Sequence, residues 1–325
     1  MAKVNPLAII GAGAWGSALA LAATRNHFAV QLFGNDEYHM QSLIAARDKQ
    51  GLFLGTPFPQ ELIPCKNLEE ALTGVDDVLI VVPSQAFTSV LKDILHIAPS
   101  VRIGFATKGL APQNQQLLSD EVINHTSADH PIAVLSGPSF ASEVARDVPT
   151  AVVIASNNTD FRQALKTRFD CDLFRISESD DLRGVSLCGV MKNVMAIAVG
   201  ISDGLNYGAN ARSALITHAL QEMQALGQKL GADDATFTGL AGVGDLVLTA
   251  TDDQSRNRRF GLAIGQGMAV DKALADVGGT VEGVANAPVL IELATKHHVT
   301  VPICQHVVSL LRGDIEPETL VKALL

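Results

Sequence analysis

Cysteine is scarce, positive charge is in deficit, and no apolar run extends far without a charge in it. The four cysteines (Cys65, Cys171, Cys188 and Cys304) are spread over 325 residues, and none forms a CxxC pair or a Cys/His cluster with metal-ligand spacing. No metal site is therefore expected, and free thiols suit a reducing compartment. Lys plus Arg number 24 against 34 Asp plus Glu, and the net charge of −10 argues against general nucleic-acid binding. The N-terminal MAKVNPLAIIGAG lacks signal-peptide organisation, because its apolar run is short and ends in a glycine-rich turn. A cytoplasmic protein is expected, without a nucleic-acid partner or a transmembrane segment. No internal repeat and no low-complexity segment is present.

What the chain does contain is a lysine where one is least expected. Residues 185–201 read VSLCGVMKNVMAIAVGI, and Lys192 is the only charge among them. Taking an ammonium out of water costs several kcal/mol unless it is paired or gives up its proton. On a helix its neighbours three and four positions away are Cys188, Gly189, Met195 and Ala196, none of them charged. Lys192 and Asn193 interrupt the run at its centre, and Arg183 and Asp203 close it, so the segment reads as a core helix rather than a membrane span. Two readings stand: a lysine used for chemistry, or one that snorkels or is paired structurally.

A chain of this length, 47% hydrophobic and 18% charged, has room for two domains with large cores. The first half alternates short apolar runs (7–10, 29–33, 78–82, 103–106, 132–135, 151–155, with 174–176 as a further candidate) with helical stretches at 15–25, 87–97, 116–125 and 161–169. That pattern predicts an open, mostly parallel, doubly wound sheet covered on both faces. Beyond residue 181 the β-branched runs thin out, and helices are predicted at 184–202, 210–230 and 282–297. The division falls at residues 1–184 and 185–325.

The first apolar run leads into GAGAWG, in which Gly11, Gly13 and Gly16 fit G-x-G-x-x-G. Gly11 permits the tight turn, Gly13 lets a pyrophosphate approach the backbone, and Gly16 lets helix and strand pack closely. The turn closes the first strand of an α/β chain, so a dinucleotide site is expected and the first domain reads as Rossmann-like. Asp36 lies about 20 residues beyond Gly16, where an acid holding the ribose of NAD would stand. It suits the N-cap of the next helix equally well, and Asn35 could donate to a 2′-phosphate. NADP and NAD both remain open.

In a doubly wound sheet, ligands sit beyond the carboxyl ends of the strands. VVPSQAF offers Pro83 and Ser84 there, ATKGL offers Lys108, and SGPSFASEVA offers Gly137 and Ser139 at a helix start. Lys108 also reads as a solvated surface lysine, and SGPSFA as a plain strand–turn–helix connection. In the helical half, Asp245 follows the small residues of GLAGVG, where backbone can approach a ligand; a helix cap is the other reading. SRNRRFG clusters Arg256, Arg258 and Arg259 in an acidic protein, either as a phosphate fork or as a solvated basic face. Arg256 and Arg259 would share a helix face, with Arg258 pointing elsewhere.

Together, in order, GAGAWG, VVPSQ, ATKGL, SGPSFA, MKNVMAIAVGISDGL and GLAGVGDL…SRNRRFG resemble the bacterial-type NAD(P)-dependent glycerol-3-phosphate dehydrogenases, over nearly the whole chain. The resemblance implies a Rossmann-like domain followed by an all-helical C-terminal domain. It implies reversible hydride transfer between sn-glycerol 3-phosphate and dihydroxyacetone phosphate, feeding glycerophospholipid synthesis. It makes Lys192 the proton-transferring residue. Lys108, Gly137, Ser139, Asp245, Ser255, Arg256 and Asn257 become substrate contacts, with the phosphate on Ser255, Arg256 and Asn257. Gly11, Gly13, Trp15, Gly16, Asn35, Lys108, Ala141, Arg256, Thr280 and Glu282 become cofactor contacts, with NADP or NAD as the cofactor. Asn35 stands where many relatives carry a basic residue, His218 replaces a common arginine, and Ala250 replaces a cysteine. A homodimer suits a helical second domain.

The implied mechanism has neutral Lys192 accepting the C2 hydroxyl proton in oxidation and its protonated form donating in reduction. Burial and Lys108 would lower its pKa, while Asp245 and the substrate phosphate would raise it. The alternatives are another two-domain dehydrogenase, of the β-hydroxyacid dehydrogenase or ketopantoate reductase type, and a non-catalytic NADPH-sensing protein on the same fold. SRNRRFG argues against the former and Lys192 against the latter.

Overall fold

The computed structural model describes residues 5–47 and 57–325. The chain forms two compact units. The first comprises the chain up to Thr107 together with Leu118–Leu182, and the second comprises Lys108–Leu117 and Arg183–Leu325. The short segment Lys108–Leu117 thus leaves the first unit in mid-sequence and returns to it, a departure that a single division at residue 184 does not contain.

Ten strands run along the described residues: β1 (Leu7–Ile10), β2 (Val30–Phe33), β3 (Leu62–Pro64), β4 (Asp77–Ile80), β5 (Arg102–Phe105), β6 (Leu110–Ala111), β7 (Gln116–Leu117), β8 (Ile132–Ser136), β9 (Thr150–Ser156) and β10 (Phe174–Ser179). Eight form the sheet of the first unit, in the order β10-β9-β8-β5-β4-β1-β2-β3. Every pairing is parallel except β8 with β9, so β9 and β10 run against the rest. The interior strands β1, β4 and β8 are buried at every residue, as expected where both faces are covered. The edges are different. β10 alternates buried Phe174 and Ile176 with exposed Arg175 and Ser177, while β3 ends in Pro64 and exposes Ile63. Charge and proline at edges discourage further strand pairing.

Sheet order reverses at β1, which pairs with β2 on one side and β4 on the other. That is the topological switch point, where a crevice opens outside the strand ends. The glycine turn leaves β1 at this point.

The second unit is helical apart from the ribbon of β6 and β7. Gln116 and Leu117, expected to open a helix, form β7 instead, and the helix begins at Leu118. The lysine-bearing helix spans Leu182–Gly204, and its residues 184–202 are buried without interruption. It is the one helix among the described residues long and apolar enough to cross a membrane, and its apolar window is wholly buried inside the protein. Against it lies the helix Arg256–Gly265. A Cβ on Gly200 would meet Arg258 O at 2.3 Å, and one on Gly261 would meet Ile197 O at 2.1 Å. Glycines spaced four apart on both helices (Gly200 and Gly204, Gly261 and Gly265) therefore let backbone touch backbone. This close crossing brings the start of Arg256–Gly265 towards Asn193.

One buried carboxylate holds the far side of this unit. The helix Pro302–Leu311 begins after Val301, which supplies no side-chain cap. Glu222, from the helix Gly208–Lys229, replaces the cap by accepting from Ile303 N at 2.8 Å and Cys304 N at 3.3 Å. Burial pushes its carboxyl above the usual range, and the two N–H donors pull back towards ionisation. Glu222→Ala is expected to lower stability by about 1–2 kcal/mol, the typical loss of a cap, read by chemical denaturation. An unchanged unfolding midpoint would show that water caps this helix equally well.

Candidate functional site

The second unit gathers a buried ionic cluster around Lys192. The helix Asp245–Thr251 follows a π-helical turn, Leu240–Gly244, in which Gly244 N–H donates to Gly239 O at 3.2 Å. Single π turns recur at functional sites because they re-aim the residues beside them. Here the turn delivers Asp245, which is fully buried, as a partner of two lysines rather than as a cap. Lys192 Nζ donates to Asp245 Oδ1, and Lys108 Nζ donates to Asp245 Oδ2 at 2.8 Å. Lys192 also donates to Thr249 Oγ1 at 2.8 Å, and the Thr249 hydroxyl lies 3.4 Å from Asp245 Oδ1.

Two ammonium groups against one carboxylate leave one surplus positive charge in a buried place. The cheapest way to shed it is to release a proton from the deeper lysine. Lys192 is 6% exposed, and burial is the main reason its pKa falls from 10.5 to about 7. Asp245 opposes that fall, and the positive charge of Lys108 reinforces it. Burial pushes the Asp245 carboxyl up, but the two lysines outweigh it and hold the group below the usual carboxylate range. Lys192 is thus a base near neutrality with a carboxylate and a hydroxyl fixing its direction.

Beside the cluster, Asn193 Oδ1 accepts from Asn257 Nδ2 at 3.0 Å, and Asn257 Oδ1 accepts from Gly283 N at 2.9 Å. Ser255 is the N-cap of Arg256–Gly265 and accepts from Arg258 N at 3.2 Å. The three arginines separate as the spacing predicts. Arg258 is buried and ion-paired with Asp203 at 2.8 Å and with Asp253. Arg259 donates to the carbonyls of Asp253 (2.9 Å) and Val277 (3.3 Å), and Arg256 to that of Thr280 (3.3 Å). Only Arg256 of the three is exposed, next to an N-terminal helix turn whose N–H groups favour an anion. Thr280 is exposed, and Glu282 opens the helix Glu282–Lys296.

The first unit carries the remaining residues. Gly11 has φ +123°, and a Cβ there would meet Val81 O at 2.3 Å; on Gly16 it would meet Gly11 O at 1.8 Å. A Cβ on Gly13 would meet no other described residue within 4 Å, so the face from which a phosphate would approach is open there. The helix Ala14–Thr24 has no side-chain cap, leaving its first N–H groups for a ligand. Trp15 Nε1 is buried and has no partner among the described residues. The open turn, uncapped helix and orphaned indole N–H all fit a dinucleotide.

Asp36 proves to be the N-cap of Glu37–Ala46, accepting from His39 N at 2.9 Å, and Asn35 beside it is exposed. Pro83 stands at the N-cap position of the helix Ser84–Ile97 without a side-chain hydrogen bond, and Ser84 is buried in its first turn. Gly137 has φ +140°, and its carbonyl accepts from Ser139 Oγ at 2.9 Å. Ala141 opens a helix of five residues, Ala141–Ala145. His218 is exposed, with Nδ1 3.3 Å from Gln221 Oε1, and Ala250 is fully buried. Sequence reasoning missed Thr249 and Asn193. One stands a helical turn beyond Asp245, and the other is the polar neighbour of Lys192 in the apolar lysine helix.

Residues 6–162 match the N-terminal family model of NAD-dependent glycerol-3-phosphate dehydrogenase, and residues 181–322 match the C-terminal one. The chain is 45% identical over 319 residues to a glycerol-3-phosphate dehydrogenase [NAD(P)+] of Legionella pneumophila, covering 98% of this chain and 96% of that one. It is 47% identical over 325 residues to the protein of that description from Alkalilimnicola ehrlichii, covering 99% and 97%. The crystal structure of glycerol-3-phosphate dehydrogenase from Coxiella burnetii superposes with a TM-score of 0.95 at 44% identity, covering 99% of both chains.

Proposed function

Because the chain belongs to the NAD-dependent glycerol-3-phosphate dehydrogenase family, an oxidoreductase family using NAD(P), we propose that Lys192 carries the C2 hydroxyl proton as sn-glycerol 3-phosphate and dihydroxyacetone phosphate interconvert. The observation that carries this reading is the buried Lys192–Asp245–Lys108 cluster, with a lysine pKa of about 7. A general base works best when its pKa lies near the working pH.

Neutral Lys192 takes the hydroxyl proton in oxidation, and its ammonium returns it to the carbonyl oxygen in reduction. Asp245 and Thr249 hold Nζ in one direction, so that proton transfer needs little reorganisation. Lys108 offers a second positive charge to the developing alkoxide. Arg256 takes the substrate phosphate, with Ser255 and Asn257 beside it, and Gly137 and Ser139 contact the substrate as well. Gly11, Gly13, Gly16 and Trp15 hold the dinucleotide, assisted by Asn35, Ala141, Lys108, Arg256, Thr280 and Glu282. The nicotinamide, when bound, supplies the hydride acceptor or donor. Asn35 offers an amide but no charge to a 2′-phosphate, so use of both NADH and NADPH is expected. The reading places the enzyme in the cytoplasm, where its four free cysteines stay reduced, supplying glycerophospholipid synthesis.

The direct test follows loss of nicotinamide absorbance with dihydroxyacetone phosphate, using NADH and NADPH in turn, beside a panel of ketoacids. Turnover with the phosphorylated ketone alone supports the reading, and preference for a ketoacid would overturn it. Arg256→Ala removes a charge-assisted phosphate contact worth about 1.5–3 kcal/mol, so KM for dihydroxyacetone phosphate is expected to rise roughly 10–100-fold. If KM stays unchanged, the phosphate is bound elsewhere.

A further inference from the structure

We propose that Asn286 is a positioning residue for the reaction, holding the backbone on both sides of Gly109 so that Lys108 is delivered to Asp245. The role rests on the reading of Lys192 as proton carrier.

Lys108 opens a ten-residue excursion, Lys108–Leu117, whose neighbours in sequence on either side belong to the other unit. The excursion has little structure of its own. Its ribbon pairs only Leu110 with Leu117 and Ala111 with Gln116, too little to hold a shape unaided. What holds it is the helix Glu282–Lys296. Asn286, 2% exposed, donates from Nδ2 to Lys108 O and accepts at Oδ1 from Leu110 N, both at 3.3 Å. Its side-chain amide acts as a strand partner would, satisfying one carbonyl and one N–H of the same extended segment. An amide side chain offers a donor and an acceptor on separate atoms at every pH, as a strand's backbone does. Further along the helix, Lys296 Nζ donates to Asn114 O at 2.9 Å and Gln115 Oε1 at 2.8 Å, fixing the far end of the excursion. The start of the same helix is tied to the proposed phosphate site, where Gly283 N donates to Asn257. One helix therefore sets the positions of both Lys108 and Asn257 relative to Lys192.

The consequence is electrostatic. The charged groups facing Lys192 are Asp245, from the helix Asp245–Thr251, and Lys108, from the excursion. While Lys108 is held, it occupies one oxygen of Asp245 and repels a proton from Lys192. Once released, it leaves the whole carboxylate to Lys192 and takes its repulsion away. Both changes make Lys192 hold its proton more tightly.

The test is the pH dependence of glycerol 3-phosphate oxidation by the full-length Asn286→Ala and Asn286→Leu variants. The leucine keeps the buried volume if the alanine unfolds. The limb on which the rate rises with pH is expected to move up by about one unit, with roughly a tenfold loss at neutral pH, because a displaced charge shifts a neighbour by that order. In a Lys108→Met background, Asn286→Ala should add less than about twofold, since its effect is transmitted by Lys108. A limb that stays in place in a folded variant, or losses that multiply in the double variant, would overturn the role. Lys192→Met separates the two ideas. If it is inactive while the Asn286 limb is unmoved, only the positioning role fails; if it turns over normally, the reading of Lys192 fails first.

Discussion

Lys192→Met is expected to cut turnover by roughly two to four orders of magnitude, the usual worth of a general acid–base, and at the same time to raise the melting temperature. The first half follows from the mechanism, because methionine carries no proton, and the dinucleotide residues of the first unit are untouched. NADPH binding by fluorescence should therefore survive. The second half follows from charge. Removing one partner of a buried ion pair normally destabilises by leaving the other alone. Here Asp245 keeps Lys108 at 2.8 Å, so the variant holds a balanced pair where the parent holds two positive charges and one negative. Thr249 keeps its 3.4 Å approach to Asp245. Replacing a buried ionic group by an apolar one of similar volume is worth about 1–4 kcal/mol in such cases, or a few degrees. The gain must also depend on pH. The lysine titrates at 10.5 when unfolded and at about 7 when folded, so between those values the unfolded chain binds more protons and the parent gains stability as pH rises. The penalty is complete below the folded value and relieved towards the unfolded one. The gap between variant and parent should thus be widest at neutral pH and below, and narrow in alkali. A variant that melts below the parent at neutral pH would refute the account of Lys192 as a surplus buried charge.

That account was partly legible in the sequence, for a physical reason. A lone ammonium in VSLCGVMKNVMAIAVGI is an energetic anomaly whatever it touches, and the glycine turn is a local device whose logic is complete within six residues. The interior strands were legible because burial on both faces makes them continuously apolar. β3 was not, since an edge strand of three residues ending in proline carries no such signature. The antiparallel entry of β9 and the excursion of Lys108–Leu117 depend on pairing between distant segments, which local pattern does not encode. The same limit explains the arginines. Spacing separated Arg258 from Arg256 and Arg259, but its burial against Asp203 depends on a residue far away in sequence. Asp36 shows the opposite case. Two roles were compatible with its position, and the hydrogen bond from His39 N shows that it caps a helix. Thr249 was within reach of sequence reasoning, because it stands one helical turn from Asp245.

Asp245→Asn is expected to produce the opposite pH response to Asn286→Ala, and to weaken the fold that Lys192→Met strengthens. The amide keeps the shape of the carboxylate but removes the anion whose charge raises the Lys192 pKa. Burial and the repulsion from Lys108 then act unopposed, so the lysine pKa falls below its value of about 7. Oxidation of glycerol 3-phosphate, which needs the neutral amine, should extend to more acidic pH. Reduction of dihydroxyacetone phosphate, which needs the ammonium, should lose about one to two orders of magnitude at neutral pH. Stability follows the same charges. Lys108 then has no buried counter-ion and Lys192 must give up its proton to fold, together worth a loss of about 3–5 kcal/mol at neutral pH. The depressed pKa of Asp245 means that its contribution is complete above the unfolded value of 3.8 and is lost as pH falls through the lower folded one. In alkali the lysines lose their protons in the unfolded variant as well, and its deficit shrinks. The stability gap between parent and variant should therefore be greatest near neutrality and close towards both extremes. Melting curves across that range, with rates in both directions, decide the matter. If both directions slow equally and their pH limbs stay in place, Asp245 does not set the charge state of Lys192.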